Sequence, residues 1–169
     1  MDLLAIYLND HLAGSTVGRE LARRAASSNR GSDYGHFLER LATEVDEDRA
    51  TLIAIMRALG ASIDQVKVIG GWAAEKVGRL KPDGRLLSYS PLSRLIELEA
   101  LALGVRGKLA LWVALELLAP ERPELGRFEL SYLIARAERQ LDELETHRLQ
   151  AAAEAFGGEP EPASGTSSR

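Results

Sequence analysis

The chain has 169 residues, 46% hydrophobic and 27% charged, with a formal net charge of −4. That length suits one domain with one core, and the mild negative charge argues against a nucleic-acid partner. The absence of cysteine excludes disulfides, thiolate metal sites, iron–sulfur clusters and cysteine nucleophiles.

The first helix is expected from about Leu3 to Ser27. Leu4, Leu8, His11, Ser15, Gly18, Ala22 and Ala25 recur at helical spacing. Gly14 and Gly18 share a face, and glycine inside a helix weakens it, so close approach of a neighbouring helix is expected there. Ser28 to Ser32 reads as a loop. A second helix follows, capped by Ser32 or Asp33. Its seam is Leu38, Leu41, Val45, Asp48, Leu52, Ile55 and Leu59, with one aspartate among the apolar residues. Gly60 is placed to end it as a C′ residue.

A connection of about thirty residues follows, too long for a plain loop. Ser62-Ile63-Asp64-Gln65 matches a capping box, so a helix is expected inside the connection, with Val66, Ile69, Ala73, Val77 and Leu80 as its stripe and Trp72 alongside. Lys81-Pro82-Asp83-Gly84 closes that helix as a turn, and the stretch from Arg85 to Tyr89 is expected to be extended or irregular.

Ser90 and Pro91 are N-cap and N1 of the third bundle helix, expected to run to about Ala119. Its seam is Leu95, Leu98, Ala102, Val105, Leu109, Trp112 and Glu116. Leu101, Leu103, Leu111, Val113 and Leu115 make it apolar nearly all round, which predicts burial on several sides or a homo-oligomer, most simply a dimer through this helix. Gly104 and Gly107 again suggest close backbone contact. Pro120 to Pro123 reads as a tight turn, with Pro123 at N1 of the fourth helix. That helix carries Leu130, Ile134, Ala137, Leu141, Leu144, Arg148 and Ala151 and ends near Phe156. Residues 1–156 form the bundle in this reading, and 157–169 are a disordered tail. No apolar run reaches the roughly 20 residues of a membrane span. The start at Met1-Asp2-Leu3 has no basic leader region, so a cytoplasmic protein with no membrane partner is expected.

Two short connections flanking one long one imply two antiparallel hairpins, with the second and third helices parallel. With this order, Tyr7 to Gly14, Glu44 to Arg49 and Ala137 to Glu145 make the chain resemble the small bacterial members of the ferritin-like superfamily. The resemblance covers roughly Leu3 to Phe156. It implies an all-α, ferritin-like four-helix bundle with a helix-containing crossover, and in principle an iron or manganese site of inward carboxylates and histidines. The residues that could supply such a site are Asp10, His11, Glu44, Asp48, Glu99, Glu145 and His147. Neither Glu-x-x-His pair of the di-iron recipe is present: Glu47 stands three positions after Glu44, and Leu144 three positions before His147.

Structural readings stand beside the ligand readings. Asp48 could pair with Arg23 or Arg148, or accept a hydrogen bond from Tyr7. His11 could be a hydrogen-bonded core residue and His147 a partly exposed one. Glu97, Glu99, Glu143 and Glu145 could be surface charges, Lys108 could extend its head to solvent, and Trp72 and Trp112 could be core anchors. The leading functional expectation is a non-catalytic bundle acting through protein association. The alternatives are a divergent carboxylate-bound metal protein or oxidase, and a small-molecule-binding bundle with the crossover over an apolar cavity.

Overall fold

The computed structural model describes residues 2–64 and 89–157. Four long helices carry the fold: α1 (Leu3–Ser28), α2 (Asp33–Ala58), α3 (Pro91–Leu118) and α4 (Leu130–Phe156). The expected crossover helix and the C-terminal tail lie outside the described residues. No strand occurs among the described residues.

The helix ends follow local chemistry. Asp2 caps α1 by accepting hydrogen bonds from the amides of Leu4 and Ala5. Ser32 caps α2 and Ser90 caps α3 with Pro91 in its first turn. Gly60, at φ +68°, ends α2; its amide donates to the Arg57 carbonyl while the Ala61 amide donates to Met56, a Schellman closure. The turn between α3 and α4 departs from expectation. Pro123 opens a 3-10 turn (Pro123–Arg127), and α4 begins only at Leu130. Leu125 inside that turn is fully buried, so the turn is held by its own apolar anchor rather than by an early helix start.

Contacts at the two ends orient the helices. Arg24 at the end of α1 meets Glu97 at the start of α3, and Arg94 at that start meets Glu154 at the end of α4. Tyr34 at the start of α2 also reaches Glu154. Halfway along, Asp48 of α2 meets Lys108 of α3. Thus α2 and α3 run parallel, on a diagonal, and every laterally adjacent pair is antiparallel. The described ends of the connection from α2 to α3 lie at opposite ends of the bundle. Its first end is fastened by Asn9, which donates to the Ser62 carbonyl and accepts from the Asp64 amide, both at 2.8 Å. Its far end is fastened at Tyr89, whose hydroxyl accepts from Asn29 and donates to Glu97. Asn9 in α1 and Asn29, the residue that caps its end, stand about 30 Å apart at the helical rise per residue.

The core follows the seams. Leu8, Leu12, Leu38, Leu41, Ile55, Leu98, Trp112 and Leu144 are fully buried. One seam assignment changes: Glu116 is exposed, and Leu115 and Leu111 take the inner positions beside it. The glycine expectation also changes. A Cβ built on Gly14, Gly18, Gly104 or Gly107 meets no described atom within 4 Å, so these glycines are not pinned by a neighbouring backbone. Gly35 is the glycine that close approach requires: a Cβ there would lie 2.3 Å from the Asn29 carbonyl oxygen.

Candidate functional site

At mid-bundle the core turns polar. Asp48 is 3% exposed, and each of its carboxylate oxygens is taken by a cation: Oδ2 accepts from Lys108 Nζ and Oδ1 from Arg136 Nη2. Lys108 Nζ also donates to Gln140 Oε1 at 2.5 Å, and Gln140 Nε2 donates to Glu44 Oε2 at 2.6 Å. Glu44 is held further by Arg139 at 2.5 Å, and Arg136 reaches Glu47 at 2.7 Å. Three acids and three bases balance, as burial of charge demands. Burial pushes the Lys108 ammonium below its ordinary range, against the pull of Asp48.

In the structure Asp48 is ion-paired, with partners other than those expected. Arg23 binds Asp46 instead, and Arg148 binds Glu145 and Glu99. Tyr7 packs edge-on against His11. Lys108 does not extend to solvent; its head turns inward to Asp48. Glu97 is not a surface charge: it is buried and bonded by Arg24 and Tyr89.

The seven residues proposed as ligands are dispersed. Glu44 and Asp48 share the network. Asp10 and His11 line a cavity on the α1 side, Asp10 being exposed. Glu99 and Glu145 are exposed and share Arg148. His147 stacks on Phe37 at 4.1 Å, and its Nδ1 lies 2.8 Å from the Glu143 carbonyl oxygen. Among the described residues, no group of three or more His, Asp or Glu side chains is gathered to hold a metal ion.

The cavity is the second feature. It has a volume of about 1030 Å³ and lies between α1 and α3 with α2 as its floor. Gly14, Gly18, Gly104 and Gly107 line it, together with the apolar Val45, Leu52, Leu101, Leu111 and Trp112. Lys108 and Asp48 reach its floor and Arg49 its side. Burial holds His11, on its wall, below the ordinary imidazole range, with Asp10 pulling the other way, so the wall presents a neutral ring near pH 7. Two wall residues carry donors buried without a partner: Trp112 Nε1 and Arg49 Nε. A mostly apolar hollow with a few convergent polar groups is the usual form of a small-molecule site.

No protein-family model matches the chain, and neither a curated protein nor a solved structure matches it. Sequence reasoning carried an apolar cavity as an alternative but did not place it between α1 and α3, because the glycines there were read as contact points. It missed Lys108 and Arg136 as partners of Asp48, although both fall on the inner faces of their helices. Among the described residues no helix is long and apolar enough to cross a membrane.

Proposed function

We propose that this chain is a ferritin-like bundle that binds a small, mainly apolar molecule in the cavity between α1 and α3. The parallel, diagonal α2 and α3 support the ferritin-like topology. The two cations on Asp48 support a binding role over a carboxylate–metal role, since Lys108 and Arg136 already supply the positive charge that a metal would bring to that carboxylate. The observation that carries the reading is the cavity itself, about 1030 Å³ and lined by glycines whose missing side chains leave it open. Interior helical glycine costs about 1 kcal/mol relative to alanine, and four such positions border one hollow. Dodecan-1-ol is a suitable neutral probe. Calorimetric titration is expected to give one site per chain with Kd on the order of 10 μM, the apolar gain less the cost of association. Gly14→Leu is expected to project a side chain into the hollow, weaken that binding and raise the unfolding free energy by about 0.5–1 kcal/mol through helix propensity. Absence of saturable binding to the unaltered chain contradicts the reading.

A second reading, self-association, is favoured by one stripe on α3. Leu92, Ile96, Leu103, Val113 and Leu117 are all exposed, Leu103 by 76% and Leu117 by 80%. On an ideal helix they fall within an arc of about 100°. Glu99 and Arg106 lie in the same arc. In an antiparallel α3 pair centred near Leu103, Glu99 would face the partner's Arg106, and Leu92 the partner's Val113, the self-complementary pattern of a two-fold dimer.

A further inference from the structure

Arg49 stands apart from the other cations of the bundle. Arg19, Arg23, Arg24, Arg40, Arg94, Lys108, Arg136, Arg139 and Arg148 each have a carboxylate partner. The described arginines without one are Arg30, Arg49, Arg57, Arg106, Arg122 and Arg127, and of these only Arg49 is not exposed. Its Nε is shut off from solvent and accepted by nothing, and Arg49 is among the residues that line the cavity. Trp112 stands on the same wall, 1% exposed, with its indole N–H also unaccepted. Asp48 and Lys108 lie side by side in α2 and α3, which run parallel. Arg49 and Trp112 are therefore separated along the bundle by about one helical turn, a span that one bound molecule covers.

A partly buried guanidinium without a counter-charge and a buried indole donor without an acceptor are both unsatisfied by the protein. Both call for oxygen. The apolar walls call for hydrocarbon. The carboxylates near the hollow do not answer Arg49: Asp48 is held by Lys108 and Arg136, and Asp10 stands exposed to water.

We propose that the ligand of this cavity is an apolar monocarboxylate, its hydrocarbon body lying along the glycine-lined wall and its oxygens received by Arg49 and Trp112. The proposal rests on the binding role assigned to the cavity above and adds the ligand's chemical class. A guanidinium favours a carboxylate over a neutral oxygen through charge-assisted hydrogen bonding, whereas an indole N–H serves both.

The test compares dodecanoate with dodecan-1-ol by calorimetric titration of the full chain at neutral pH. Dodecanoate is expected to bind about tenfold more tightly than the alcohol. Arg49→Met is expected to loosen the acid much more than the alcohol, so that the two probes bind alike. Arg49→Lys keeps the charge and is expected to retain part of the preference, which separates loss of charge from loss of fold. Trp112→Phe is expected to loosen both probes alike, and unchanged affinity for both would remove the indole from the anchor. Equal binding of acid and alcohol by the unaltered chain, or a preference that survives Arg49→Met, overturns the carboxylate anchor while the cavity reading stands. Binding of neither probe overturns both.

Discussion

Asp48 shows how a single residue can be conspicuous in sequence and still be assigned the wrong neighbours. Its place on an apolar seam marks it as buried. Whether metal or cation met it depended on side chains about 60 and 90 positions away, which no local spacing reveals. Its removal leaves Lys108 and Arg136 turned toward each other with no intervening charge, both largely out of water. Asp48→Ala is therefore expected to cost about 3–5 kcal/mol of unfolding free energy, the usual penalty for breaking a buried ion pair from one side. Asp48→Leu combined with Lys108→Met should cost less than Asp48→Leu alone, because it also removes the stranded ammonium. Urea denaturation of the three variants measures this, and a double variant less stable than the single contradicts the assignment.

The tyrosine hydroxyls at the other end of the bundle carry a pH signature. Burial, with Glu154 reinforcing and Arg94 opposing, pushes Tyr34 up to about 12; burial likewise pushes Tyr89 up to about 12, with Asn29 opposing and Glu97 reinforcing. Unfolded, each would lose its proton near pH 10, while the folded chain keeps it. Between pH 10 and 12 the native state binds more protons, so stability falls as pH rises through that window. Lys108, whose range is lowered by burial, works in the opposite sense. Thermal melts across the window are expected to show a steep loss that the Tyr34→Phe, Tyr89→Phe pair reduces; an unchanged slope contradicts it.

Elements were legible where one residue decides geometry. Ser32, Gly60, Ser90 and Pro91 each stand at the helix boundary their chemistry dictates. The start of α4 was not legible, because Pro123 suits the first turn of a 3-10 segment as well as that of an α-helix. Glycines were ambiguous for a related reason: the same residue permits close approach or leaves an opening, and only the neighbouring element decides. Gly35 is the close-approach case. Gly35→Ala places a methyl carbon against the Asn29 carbonyl and forces the turn between α1 and α2 to shift. It is expected to lower stability by about 1–3 kcal/mol despite alanine's better helix propensity. Calorimetric unfolding checks this, and a stabilised variant contradicts the crowding.

At the scale of the whole molecule, the helix order and connection lengths already implied two hairpins with parallel second and third helices, and the contacts at Glu97, Glu154 and Asp48 agree. The cavity could not be read in that way, since it depends on how far α1 and α3 stand apart rather than on what either helix contains. The outer stripe of α3 lay between these cases. Its apolar character was plain, and Glu99, which the sequence left open as a ligand or a surface charge, lies on the exposed face with Leu103. If that stripe joins two copies, Glu99→Arg alone should shift sedimentation toward monomer, and adding Arg106→Glu should restore the dimer. A monomer at every concentration for the unaltered chain contradicts self-association.

The central claim is that the hollow between α1 and α3 is a binding site. The most direct measurement is anomalous diffraction from crystals grown with a terminally brominated dodecanol. A bromine peak is expected inside the hollow, among Gly14, Gly18, Gly107 and Leu111. Bromine only along the outer stripe of α3, or none in the hollow at saturating alcohol, would contradict it.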